Sequence, residues 1–217
     1  MWFHSFLCHQ VIPFSQELLP SSVSHKMIKK KNVTLALDLD ETLVHSSPFP
    51  HDADFSFTII SDGKSSTVYV RKRPFLEEFL EKVSEMFEVV IFTASHSSYS
   101  AKLLDVLDPH KKIFAQRFYR DSCKWEDGHC LKDLTVLSTD LAKVFIIDNT
   151  PRVFRLHVSN GIPIKSWYGF SRDHALIDLL PFLEKLVDVD DVRPIIAAQF
   201  GARIHYARSA PIQIITI

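Results

Sequence analysis

The sequence predicts an α/β fold in which a parallel sheet is covered by helices on both faces. Three observations carry that prediction. Short, continuously apolar runs alternate with longer stretches of helical period. The apolar runs lack the in-out alternation of a half-solvated sheet, so both of their faces face protein. Two of them end directly in acid, at Asp38 and Asp148, as expected where strands deliver side chains to a site at their carboxyl ends.

Val33–Asp38 (VTLALD) reads as the first buried strand. Phe55–Ile60 and Thr67–Arg71 flank Ser61-Asp62-Gly63-Lys64, and an Asp-Gly pair between β-rich runs predicts a hairpin. After Pro74, apolar residues recur at 75, 76, 79, 80, 83, 86 and 87, a helical spacing with proline in the first turn. Glu88–Thr93 (EVVIFT) is a second buried strand. Ser98–Leu107 reads as a helix stopped by Asp108-Pro109. Residues 113–119, 144–148 (VFIID) and Ile162–Ile164 are further strands. Asp173–Val187 is the last helix that the periodicity supports, with Pro181 as a bend. Ala202–Ile217 shows no helical period and reads as a tail, whose apolar IQIITI is an aggregation hazard. The expected organisation is a poorly ordered leader over 1–32, a catalytic-sized domain over 33–198 and a tail over 199–217.

Composition narrows the function classes. Of 217 residues, 46% are hydrophobic and 24% charged, which excludes a wholly disordered chain or a collagen-like repeat. Lys+Arg 25 against Asp+Glu 26 gives a net charge of −1, so no electrostatic footprint for nucleic acid is present. Three cysteines, Cys8, Cys123 and Cys130, are too few and too scattered for a disulfide framework and fit a reducing compartment with free thiols. Their spacing with His129 matches no standard zinc pattern. No run reaches the roughly 18 apolar residues of a spanning helix. Met1–Phe14 lacks the basic start and cleavage site of a secretory signal, and reads as a leader that is loose or docked on the surface. Lys26, Lys29, Lys30 and Lys31 form either an import or anionic-surface patch or a solvated lead-in.

Chemistry concentrates at strand ends. Asp38-Leu39-Asp40 alone reads more readily as a solvated acidic strand-to-loop junction than as a site. Two carboxylates so close repel unless a cation or a shared proton intervenes, and a hard divalent ion with oxygen ligands meets that need. Asp148-Asn149 offers oxygen ligands at a second strand end, and Phe92-Thr93-Ala94-Ser95 offers hydroxyls at a third. Lys132, set among apolar neighbours, needs an anionic partner. Acid pair, hydroxyl, lysine and acid-amide pair together suit phosphoryl transfer.

Those residues resemble a known family. Leu37-Asp38-Leu39-Asp40-Glu41-Thr42-Leu43-Val44-His45-Ser46 is similar to the first motif of the small C-terminal-domain phosphatases. These belong to the haloacid dehalogenase superfamily, with Dullard and NLI-interacting-factor-like relatives. Tyr69–Pro74, Phe92–Ser95, Leu131–Leu134, Ile147–Pro151, Asn160–Ile164 with Trp167, and Leu179–Leu183 follow in the family's order, so the resemblance covers about residues 33 to 198.

The resemblance implies a Rossmann-like α/β domain with a β-hairpin insertion. It implies that Asp38 is the nucleophile forming an aspartyl-phosphate, and that Asp40 is the general acid and then the base. Mg²⁺ would be held by the Asp38 carboxylate, the Asp40 carbonyl and Asn149. Thr93 and Lys132 would bind the phosphoryl oxygens, with Asp148 orienting Lys132 or metal-bound water.

The implied substrate is a phosphoserine or phosphothreonine in an extended protein segment. The RNA polymerase II C-terminal repeat is the family's best-known example. A nuclear location follows by analogy, with the cytoplasm as the alternative. Nothing in the sequence demands more than a monomer. A small-molecule or lipid-pathway phosphatase, and a non-enzymatic phosphopeptide-binding module, are the rival functions. Phe49, Phe55 and Phe57 either line an apolar pocket for a residue such as proline or simply pack on the domain. His45 either tunes the site or makes a structural hydrogen bond. Where the family has acid after the tryptophan, this chain has Tyr168-Gly169-Phe170, with Asp173 the next acid.

Overall fold

A computed structural model describes residues 31–61, 63–126, 128–137 and 140–209. The expected leader over 1–32, apart from Lys31 and Asn32, lies outside the described residues, as do Cys8 and the IQIITI end.

Strand β1 (Thr34–Leu37) is the middle of a five-stranded parallel sheet and is buried at every position. It pairs on one side with β5 (Glu88–Phe92) and on the other with β9 (Val144–Asp148). β6 (Phe114–Phe118) and β10 (Gly161–Pro163) complete the order β10-β9-β1-β5-β6. The continuous apolar runs TLAL, VVIF and VFII therefore have protein on both faces, as the sequence predicts.

Helices follow the apolar periodicity. α1 (Leu76–Met86) buries Leu76, Phe79, Leu80 and Val83, one stripe at i, i+3, i+4 and i+7. Glu77 and Glu78 in its first turn complement the helix dipole. α2 (Ser97–Leu107) buries Ser100, Leu103 and Leu104 and stops at Asp108. The Asp108 carboxylate accepts the backbone N–H groups of Lys112, Ile113 and Phe114, which turns the chain into β6.

The insertion is a separate three-stranded antiparallel sheet, β2 (Val44–Ser47), β3 (Phe55–Ser61) and β4 (Lys64–Lys72), in the order β2-β4-β3. Ser61 pairs with Lys64, so the turn holds two residues, and Gly63 takes the positive φ of 73° that such a turn requires. A second hairpin, β7 (Lys124–Glu126) and β8 (His129–Leu131), leads into Lys132. Cys123 and Cys130 are brought side by side across it, with Cα atoms 5.7 Å apart. The hairpin brings together two cysteines whose seven-residue spacing carries no signal of its own.

The C-terminal part differs from the sequence reading. The expected helix over 173–187 is α3 (Ala175–Leu183) followed by a 3-10 turn over Glu184–Leu186, with Pro181 inside the helix. A further helix, α4 (Arg193–Ser209), runs through the boundary expected at 198 and through much of the expected tail. Its first half is fixed by the buried Ile196 and Phe200, the latter edge-on to Phe182 at 5.0 Å between ring centres. Apolar anchors here are so sparse that the 3.6-residue period does not stand out. Among the described residues no helix is long and apolar enough to cross a membrane.

Candidate active site

The parallel register sets the site. Leu37 lies level with Ile91 on β5 and with Ile147 on β9. Asp38, Phe92 and Asp148 are therefore the next residues of three adjacent strands, with Thr93 one step further. Asp38 continues the ladder through its N–H to the Ile147 carbonyl (3.1 Å). Beyond it the chain curls tightly, the N–H groups of Thr42, Leu43 and Val44 all reaching the Leu39 carbonyl. Buried Leu39 and Leu43 anchor this loop, and Glu41 takes a φ of 56°. The N–H of Trp167 donates to the Glu41 carbonyl at 2.8 Å.

Both carboxylate oxygens of Asp38 are held. Oδ1 accepts from Lys132 Nζ at 2.6 Å, and Oδ2 accepts from the Thr42 hydroxyl at 2.8 Å. Lys132 is fully buried and also donates to Asp148 Oδ2 at 2.5 Å. Burial pulls the lysine toward its neutral form, but the charges of Asp148 and Asp38 outweigh it and hold Lys132 above its usual range. Asp148 is pushed up by burial and by the Asp38 charge, against the opposing pull of Lys132.

Asp40 is half-buried. Ser95 donates to its Oδ2 and Tyr99 to its Oδ1, each at 2.6 Å. Desolvation raises its pKa, the hydroxyl donors oppose that, and the Asp38 charge adds to it, for a net rise. Glu41 is raised to about 7 by burial and by the charges of Asp40 and Asp38. It meets His45 Nδ1 at 3.2 Å, so His45 makes a hydrogen bond to the loop.

Thr93 is buried, and its hydroxyl accepts the Ser95 N–H at 3.1 Å. Asn149 donates through Nδ2 to Ser166 Oγ at 3.0 Å, which turns Oδ1 to within 3.4 Å of the Thr42 hydroxyl beside Asp38. Among the described residues no three His, Cys, Asp or Glu side chains form a metal cage. The expected ligand set is different: one carboxylate, one backbone carbonyl and one amide. These are all oxygen donors, and Thr42 touches two of their side chains, which fits a small hard cation.

The profile of NLI interacting factor-like phosphatases matches residues 33–193 of this sequence. The chain belongs to that family. It is 49% identical over 182 residues to CTD small phosphatase-like protein 2 of Dictyostelium discoideum, covering 83% of this chain and 32% of that protein. It is 43% identical over 178 residues to human carboxy-terminal domain RNA polymerase II polypeptide A small phosphatase 1, covering 82% and 67% of the two chains. Against CTD nuclear envelope phosphatase 1 of Xenopus laevis it is 37% identical over 207 residues, covering 90% and 84%. The chain thus spans only about a third of the length of the first of these relatives. The fold is that of the fission yeast RNA polymerase II CTD phosphatase Fcp1, with a TM-score of 0.54 at 21% identity, covering 82% of this chain and 57% of that one.

Within this phosphatase-family domain, the structure brings Asp38, Asp40, Thr93, Lys132, Asp148 and Asn149 to one end of the sheet. It does not join Phe49 to Phe55 and Phe57. Phe49 is 64% exposed, whereas Phe55 and Phe57 stack at 6.4 Å and pack on the domain. Phe55 also lines a cleft of about 230 Å³ with Leu76, Leu80, Val106 and Leu107.

Four contacts escape the sequence reading. Thr42 holds Asp38, Ser95 and Tyr99 hold Asp40, and Arg73 holds the loop. Arg73 is buried and grips Asp173 by two bonds, at 2.8 and 3.0 Å, while donating to the carbonyls of Thr42 and Lys165 at 2.9 Å each. Spacing carries no signal for Tyr99, because Ser95 lies in the loop before the helix that begins at Ser97.

Proposed function

We propose that this domain hydrolyses phosphoserine and phosphothreonine in extended protein segments through an aspartyl-phosphate on Asp38. The observation that carries this reading is the Asp38 carboxylate, fixed between Lys132 and Thr42 at the end of the central strand, with the raised Asp40 two residues on. A carboxylate held at both oxygens is oriented for in-line attack. As Asp38 attacks phosphorus, the bond from phosphorus to the seryl oxygen breaks and Asp40 delivers a proton to that oxygen. In the second half Asp40 takes a proton from water, the water oxygen attacks phosphorus, and Asp38 is regenerated.

Lys132 has three donors, of which two serve Asp38 and Asp148. The third is free for a phosphoryl oxygen. The Thr93 hydroxyl accepts from Ser95 and keeps its own proton for the same purpose. Mg²⁺, held by the Asp38 carboxylate, the Asp40 carbonyl and Asn149, would offset the charge of the acid pair and polarise the phosphoryl group. Asp148 orients Lys132 in this scheme. The relatives' names support an RNA polymerase II C-terminal repeat or a similar segment as substrate, and a nuclear or nuclear-envelope location.

The test is phosphate release from a Ser-Pro phosphopeptide and from an aryl phosphate, with Mg²⁺ and with chelator. Mg²⁺-dependent release from the peptide is expected, and Asp38→Asn abolishes it while leaving the circular dichroism spectrum unchanged. Release from the aryl phosphate alone moves the assignment to a small-molecule phosphatase. No release from either, by folded protein, leaves a binding module.

A further inference from the structure

The Asp40 carboxylate is anchored from two places outside its own loop. Ser95 reaches it from the loop after β5, and Tyr99 reaches it from the first turns of α2, both at 2.6 Å. The Tyr99 hydroxyl also lies 2.6 Å from the Ser46 hydroxyl on β2. Its ring lies 5.9 Å from that of Phe57 on the insertion. Asp40 itself sits in the loop after β1, where it makes an isolated bridge to Val44. A carboxyl on a loop has free rotation about its side-chain bonds unless neighbours remove it. Here both oxygens are engaged, so rotation of the carboxyl breaks two hydrogen bonds at once.

We propose that Tyr99 is a positioning residue for Asp40: its hydroxyl, braced by Ser46 and by the Phe57 ring, fixes the carboxyl in the orientation that delivers a proton to the leaving oxygen. The inference rests on the assignment of Asp40 as proton donor made above. A phenol both donates and accepts, so the Tyr99 contact persists whether Asp40 carries its proton or not. A lysine here, a donor only, would lack that property. The ring fixes the hydroxyl with only two rotatable bonds to hold.

The inference separates substrates by leaving group. A seryl oxygen leaves as a poor alkoxide and needs the proton, whereas a nitrophenolate leaves without it. Loss of positioning therefore penalises phosphoserine more than an aryl phosphate. kcat/KM is the quantity to compare, because it reports events up to phosphoryl transfer and excludes the hydrolysis of the intermediate.

The experiment uses Tyr99→Phe, which keeps the ring against Phe57 and removes only the hydroxyl. kcat/KM is measured with a phosphoserine peptide and with para-nitrophenyl phosphate, beside wild type and Asp40→Asn, and thermal unfolding is followed for each protein. The ratio of peptide to aryl kcat/KM is expected to fall by about 10-fold or more in Tyr99→Phe, a part of the roughly 10²–10⁴-fold worth of general acid catalysis. Ser95→Ala is expected to shift the ratio in the same direction. An unchanged ratio in Tyr99→Phe, with Asp40→Asn inactive on the peptide, overturns the positioning role and leaves the Asp40 assignment standing. Full peptide activity in Asp40→Asn overturns both.

Discussion

Replacing Asp173 by asparagine isolates the ion pair that ties the loop after Trp167 to the rest of the domain. Arg73 is 1% exposed and makes four contacts: two to the Asp173 carboxylate and one each to the Thr42 and Lys165 carbonyls. Asparagine keeps one acceptor, turns the other oxygen into a donor facing Nη2, and removes the counter-charge. The guanidinium has no route to water and cannot neutralise itself. Stripping the partner from a buried pair costs about 3–5 kcal/mol. The Asp173 side chain is 15% exposed, so solvent already shares part of its charge, and the lower end, about 3 kcal/mol, is expected. For a domain of this size that lowers Tm by about 6–12 °C. Urea unfolding at pH 7, with m unchanged, measures it. The double replacement Arg73→Met/Asp173→Leu is expected to restore at least half, because no buried charge is left behind. A loss below about 1 kcal/mol in Asp173→Asn would refute the claim that Arg73 depends on this one carboxylate.

Other consequences are open to direct measurement. Lys132→Ala removes a charge-assisted contact and is expected to weaken binding of a phosphate mimic by about 1.5–3 kcal/mol, read by calorimetry; unchanged affinity removes Lys132 from the site. Asp108→Ala strands the three N–H groups that lead into β6 and is expected to cost about 3 kcal/mol. Burial acts to raise the Asp108 pKa, but those three bonds outweigh it and hold the group below its ordinary 3.8. A depressed carboxyl stabilises the fold above the unfolded value, and the contribution is lost as pH falls through the folded value. The gap in stability between wild type and Asp108→Ala is therefore expected to be full above about pH 5 and to close in stronger acid, which unfolding curves across that range would reveal.

The sheet was legible because burial on two faces leaves a crude mark: VTLALD, EVVIFT and VFIID need no subtle pattern to be seen. The acid and hydroxyl ends of those runs were legible for the same reason, since parallel strands bring their carboxyl ends to one edge. What supports those residues was not. Thr42 and Tyr99 meet Asp38 and Asp40 through side-chain directions, which no spacing rule fixes. Arg73 and Asp173 are 100 residues apart and pair only because the loop after Trp167 is drawn back to Glu41. The strands β7 and β8 hold three residues each, too few to show a period of two, so the approach of Cys123 to Cys130 stayed hidden with them.

The contacts that fix Asp38 join residues very far apart in the chain. Lys132 is 94 positions from Asp38, and Asn149 is 107 from Thr42. Each such link closes a long loop before it returns any energy. Contacts of this range form late in folding, once the strands between them are in register. A chain emerging from the ribosome thus carries Asp38 early, but the contacts around it are incomplete until β9 has been made and has docked beside β1. By the same connectivity, heat or denaturant is expected not to wear the site away piece by piece: turnover and tertiary structure should disappear in one cooperative step.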